Sequence, residues 1–242
     1  MKQVSRRAGG YAAVLLGVMA VSGGCTEEET GFFILGNLAV EAGECVATAD
    51  PGAPMLPSGT LDLALRQEYE AALLVGSQLT PRGDKENLRT ETMITTITGA
   101  EVRLHNDVGE VLNEFTVPAA GVILPDSSEA PGFGIVNATL VPSGNGGAPA
   151  PGAVDTLIAR VVVFGKTIGG VDVETAPLSY VIKVCTGCLI EFPASAFDPT
   201  SGCVPSEEAP AAPCRPGQDD VVDCRICANQ NSFCQFPGGV AP

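Results

Sequence analysis

Two C-x-x-C pairs, Cys185-Thr-Gly-Cys188 and Cys224-Arg-Ile-Cys227, are the residues whose type and spacing could carry chemistry. Paired thiolates at this spacing form the half-sites of a tetrahedral zinc centre. With a His directly after the second Cys they attach haem, and at the start of a helix they form a redox dithiol. The haem reading fails, because Leu189 and Ala228 stand where the His is needed. The stretch between the pairs is longer than in common zinc ribbons, and neither pair opens a recognisable helix. Disulfide formation is the reading that remains, and the start of the chain supports it.

The other candidates are weaker. His105 is the sole histidine, so a Ser–His–acid triad would have to use it; it sits in an alternating strand pattern, and no G-x-S-x-G elbow exists. Carboxylates alone can do acid–base work, but 28 Asp and Glu residues make that uninformative. The stretch GDKEN, residues 83–87, lacks the repeating oxygen ligands of an EF-hand. Arg82-Gly83-Asp84 lies in TPRGDKEN and reads as turn chemistry. No catalytic residue, metal site or cofactor is assigned.

The chain opens with Lys2, Arg6 and Arg7, followed by an apolar stretch from about Tyr11 to Val21, then Ser22, Gly23, Gly24 and Cys25. That stretch falls short of the ~20 residues of a membrane-spanning helix. A basic start, a short apolar run and small residues describe an export signal. With Cys25 directly after them, the segment resembles the lipobox-type signal of bacterial lipoproteins, although Ser22 and Gly23 depart from the preferred Leu and Ala or Ser. The resemblance implies cleavage after Gly24, lipid on Cys25 and a membrane as partner through that lipid. It also implies the outer rather than the inner membrane, since Thr26 is not the Asp that favours inner-membrane retention. The alternative is ordinary secretion, with Cys25 free for a disulfide.

Composition agrees with export. Setting Cys25 aside leaves eight cysteines, an even set that reads as disulfides in an exported chain: Cys45, Cys185, Cys188, Cys203, Cys214, Cys224, Cys227 and Cys234. Eight cysteines leave the connectivity open. Cys45, alone upstream, is expected to pair with a tail cysteine and clamp the N-terminal segment. A net charge of −15 argues against nucleic acid, whose affinity comes from neutralised phosphates.

The elements that would position these residues are strands. LDLAL, YEAALLVGSQL, ETMITTIT, AEVRLH, EVLNEFTV, GIVNATL, DTLIARVVVFGKT and LSYVIKVC are short runs bounded by Gly, Pro, Asn or Asp. Val102 and Leu104 share a face opposite Arg103 and His105. Tyr180, Ile182 and Val184 oppose Ser179, Val181 and Lys183, and Leu157, Ala159, Val161 and Val163 form another apolar face. A period of two suits antiparallel sheets buried on one side. The fold class expected is all-β, an antiparallel β-sandwich resembling immunoglobulin-like or fibronectin-like domains, with a disulfide-rich, mostly irregular C-terminal module. The divisions expected are a signal at 1–24, a lipidated tether and extended linker at 25–59, the sandwich at 60–187 and the Cys-rich module at 188–242. VPSGNGGAPAPGAVD, residues 141–155, reads as an exposed spacer.

The function expected is that of a lipid-anchored envelope protein working as a non-enzymatic binding or structural module toward a protein or glycan. The alternative is an exported hydrolase built on carboxylates.

Overall fold

The computed structural model describes residues 31–40, 43–84, 86, 89–126, 131–144, 156–198, 202–204, 210–228, 230 and 232–234. The expected signal, Cys25 and most of the 141–155 spacer lie outside them. The protein is mostly β, with one large, nearly barrel-shaped sheet and disulfides.

Ten strands build the sheet: β1 (Phe32–Leu38), β2 (Met55–Leu56), β3 (Gly59–Asp62), β4 (Tyr69–Ser77), β5 (Thr95–Asn106), β6 (Val111–Ile123), β7 (Gly132–Val141), β8 (Thr156–Thr167), β9 (Asp172–Glu174) and β10 (Leu178–Cys185). Their hydrogen-bonded order is β2-β1-β4-β7-β6-β5-β8-β10-β3, with β9 beside β8 on the edge that β10 continues. The alternating residues face inward as their pattern requires: Val102 and Leu104, Leu157 to Val163 at every second position, and Tyr180, Ile182 and Val184 are buried in one core. Strand β6 pairs with β5 along nearly its whole length and with β7 at Ala120↔Asn137.

Several local expectations change. Residues 32–38, inside the expected tether and linker, are strand β1, paired to β4. Phe32 enters the main core, and Leu38 joins Ala72 and Leu74 in a second one, covered by Ala47, Ala53 and Met55. Residues 95–106 form one strand across Gly99, because a register shift between Ile97 and Gly99 absorbs the break. The strand expected at LDLAL ends at Asp62, and it pairs with β10 in parallel rather than antiparallel.

Beyond the sheet the described residues of the tail form only short elements. Strand β11 (Ile190–Glu191) pairs in parallel with β14 (Val222–Asp223), and β12 (Phe197–Asp198) pairs with β13 (Gly202–Cys203). One helical turn, α1 (Cys224–Cys227), is capped by Asp223, whose carboxylate accepts from the Arg225 backbone N–H and pairs with its guanidinium at 2.7 Å. Four disulfides join Cys45 to Cys214, Cys185 to Cys188, Cys203 to Cys224 and Cys227 to Cys234.

These bonds differ in what they constrain. Cys45–Cys214 spans 169 residues and Cys185–Cys188 spans three. Loop-closure entropy then assigns about 5 kcal/mol to the first and about 2 kcal/mol to the second. Denaturant unfolding of C45S/C214S should show a loss about 3 kcal/mol larger than that of C185S/C188S. Equal losses would mean that Cys45–Cys214 does not restrain the unfolded chain as its span requires.

Candidate functional site

The two ends of the sheet path, β1 with β2 and β10 with β3, face each other across a seam. Each step from β1 through β4, β7, β6, β5 and β8 to β9 or β10 is antiparallel. Strand β1 therefore runs in the same direction as β9 and β10, and no backbone ladder joins them among the described residues. The seam differs at its two ends.

One end is closed by a buried polar knot. The hydroxyl end of Tyr69 lies against Gly59, which has no room for a Cβ because the phenol occupies that space. The Tyr69 hydroxyl donates to Asp219 Oδ2 at 2.9 Å and accepts from Tyr180 at 3.0 Å. Asn37 Nδ2 donates to both hydroxyls, at 3.2 and 3.0 Å, while its Oδ1 accepts the Ala72 N–H at 2.9 Å. The Gln218 amide accepts from Glu70 N at 3.0 Å and donates to Glu70 O at 2.7 Å. Asn37 and Gln218 thus satisfy the edge of β4 where β1 has turned away, as buried backbone groups require. Asp219 also accepts from Thr60 N at 2.8 Å.

Burial pushes the Asp219 carboxyl above the usual carboxylate range, against hydrogen bonds from Thr60, Tyr69 and Gln218 that pull it down. Burial also raises both phenols, Tyr69 with help from the Asp219 charge. Both hydroxyls stay protonated and serve as donors.

The other end of the seam is open. Phe32 and Phe33 of β1 face Asp172, Val173 and Glu174 of β9 across a cleft whose wall includes Phe164 and Lys166. Phe33 lies over Gly76, where a Cβ would collide with its ring, and meets Phe133 edge-to-face with centroids 6.2 Å apart. At the rim Lys166 pairs with Asp172 at 3.0 Å, both well exposed. Among the described residues the lining holds no Cys, His or Ser, and Thr175 Oγ1 accepts the Val163 N–H at 3.0 Å. Such a surface can hold an apolar or aromatic group, but it presents no paired nucleophile and base.

The residues singled out by sequence lie elsewhere. The C-x-x-C pairs are not brought together: Cys185 and Cys188 bond to each other, whereas Cys224 and Cys227 bond to different partners. Asp62 lies within 4.8 Å of the Cys185 and Cys188 sulfurs, the one such trio among the described residues. Its carboxylate accepts from Ala64, Gly187 and Leu189 N–H groups at 2.9, 2.6 and 2.9 Å, which makes it a clamp on the Cys185–Cys188 turn. His105 Nδ1 faces the Gly109 carbonyl at 3.2 Å, and Nε2 is buried without a partner. That carbonyl places the ring proton on Nδ1. Arg82-Gly83-Asp84 forms a braced turn: Glu91 accepts from Arg82 and Gly83 N–H groups, and Asp84 bridges Arg89.

Sequence reasoning missed Asn37, Tyr69, Gln218 and Asp219 as a unit, and Phe33, Phe164 and Lys166 as cleft residues. No local signal marks either set, since their members come from distant strands.

The raised Asp219 carboxyl gives a signed expectation. Its folded form holds a proton more tightly than its unfolded form, so its contribution to stability is full at low pH and is lost as pH rises from the ordinary carboxyl range through the folded value. Asp219→Asn removes the cost of charging while keeping an acceptor oxygen. The stability difference between wild type and D219N should therefore shift in favour of the variant between pH 4 and 7, measured by urea unfolding. A pH-independent difference would contradict the assignment.

Comparison with known proteins finds no matching family model, no matching curated protein and no matching solved structure.

Proposed function

We propose that this chain is a lipid-anchored protein of the bacterial envelope, acting as a non-enzymatic binding module with the seam cleft as its ligand site. The observation that carries the reading is the cleft itself: open, walled by Phe32, Phe33, Phe164 and Val173, and lacking a nucleophile–base pair. Concave apolar surfaces with a few polar groups at the rim suit recognition. Four disulfides support an oxidising compartment, in keeping with the export signal expected at 1–24. Within this reading the fold is a strongly curled sandwich of immunoglobulin-like type. Its layers are β1, β2, β4 and β7 against β3, β5, β8, β9 and β10, with β6 crossing between them. A protein or glycan of the envelope is the partner.

The anchor and the site are tested together on the full chain expressed in a Gram-negative host. Intact mass should show an acylated N-terminal Cys25 in the membrane fraction. A photo-crosslinking residue at position 164 should give a discrete adduct that the same residue at the exposed hairpin position 108 does not. An unacylated product overturns the anchor, and equal crosslinking at both positions overturns the site.

A further inference from the structure

One end of the curled sheet gathers turns that carry exposed aliphatic side chains. Ile123 of β6 pairs with Thr95 of β5, which pairs with Thr167 of β8, so the three form a row across the sheet. Phe32, Ser77 and Gly132 form a second row across β1, β4 and β7. Both rows lie at the same end. A Cβ on Gly132 would meet the Leu124 and Pro125 carbonyls, and the Asp126 N–H donates to Leu79 O at 2.9 Å. Just beyond the rows stand Leu124, Ile168 and Val171, which are 56%, 59% and 54% exposed. Their turns are braced: Ile168 N–H donates to Ile94 O, Gly169 N–H to Thr92 O and Thr167 N–H to Val171 O, each at 2.8 Å. The result is an apolar tip that the fold holds outward.

The expected anchor lies at this end. Strand β1 enters the sheet here, at Phe32, and Cys25 stands six positions before Gly31. Six residues span at most ~20 Å, however they run. The opposite end also carries exposed aliphatic residues, Val108, Val111 and Leu112. It lies the length of β5 away, 12 residues, or roughly 40 Å of strand. Between the ends, the outer face of β5 and β8 presents Glu101, Arg103 and Arg160, all exposed, which opposes contact with lipid along that side.

Resting on the lipid-anchored reading above, we propose that this end docks on the bilayer surface, with Leu124, Ile168 and Val171 entering the interface beside the lipid on Cys25. Interfacial binding scales with the apolar area buried. A tether this short presents the tip to the bilayer at high effective concentration, so a few aliphatic side chains suffice. Charge does not drive the contact. Lys166 and Asp172, beside the tip, pair with each other at 3.0 Å, and Glu91 accepts the Arg82 and Gly83 N–H groups. With −15 on the chain and TEEET directly after Cys25, anionic headgroups repel it. The partner is therefore the acyl and glycerol layer of the membrane. The cleft, which Gly31 lines, then lies on the membrane side of the molecule.

The chain has no tryptophan, so a single introduced one reports alone. The full chain, with acylation checked by intact mass, is reconstituted into phosphatidylcholine vesicles whose acyl chains carry bromine, a contact quencher of tryptophan. Quenching of I168W and of L124W should exceed that of V108W by about threefold or more, and about 1 M salt should leave the ratio unchanged. Adding Leu124→Ser and Val171→Ser to I168W should cut its quenching by about half or more. Equal quenching of I168W and V108W, or none in either, from an acylated chain overturns the docking while the anchor stands. A ratio that collapses in salt, or quenching that survives both serine substitutions, overturns the apolar tip as its cause. A chain without acyl mass on Cys25 overturns the anchor, and the docking with it.

Discussion

A seam between two strands of like direction is closed by side chains, and much of the molecule is arranged around that fact. The path from β1 to β10 has an odd number of strands, so its ends meet in parallel. Where β1 leaves β4 beyond the Asn37↔Leu73 pair, the buried edge of β4 needs other partners, since an orphaned buried backbone group costs about 1–3 kcal/mol. Asn37 and Gln218 supply them. Asp219 then organises what remains, accepting from Tyr69 and from Thr60 of β3 while its own N–H returns to Thr60 O at 3.0 Å. Its backbone adopts φ +64°, a left-handed conformation that Asp tolerates better than most residues.

This places a structural duty on the tail. Gln218 and Asp219 follow Cys214 and Arg215, and both of those also bind the N-terminal half. Cys214 is bonded to Cys45, and Arg215 donates to the Glu70 carbonyl at 2.6 Å. The disulfide delivers the loop, and the loop delivers the two side chains that finish the sheet. At the far end of the seam β9 pairs with β8 and sends Val173 into the main core. The polar plug closes one end of the seam, and the aromatic cleft lies at the other.

The faces of β5, β8 and β10 were legible because alternation is a local signal: Val102 and Leu104, or Tyr180 and Ile182, declare their side within a few residues. Strand β1 was not, because FFILGNL follows an acidic stretch, and its bulge between Ile34 and Gly36 sends Phe32 and Ile34 to one core and Leu38 to another while Leu35 stays exposed, so it lacks a simple alternation. The parallel pairing of β3 with β10 depends on chain topology, which no local pattern carries. The knot was illegible for a related reason. Asn37, Tyr69, Tyr180 and Asp219 are unremarkable singly, and sequence separations of 111 and 150 residues divide Tyr69 from Tyr180 and Asp219. The cysteines announced disulfides by number and compartment, but their pairing follows from where the sheet delivers them.

The central claim is that backbone pairing is absent at one end of the seam and replaced by side chains at the other. Residue-resolved hydrogen exchange on the protein alone tests it most directly. The amides of Phe32 and Ile34 should exchange at least tenfold faster than that of Phe33, which pairs with β4, while Ala72 and Glu70, held by Asn37 and Gln218, should be as slow as the ladder around them. Equal protection of Phe32, Phe33 and Ile34 would contradict the account, because it would mean that the seam is laddered along its length.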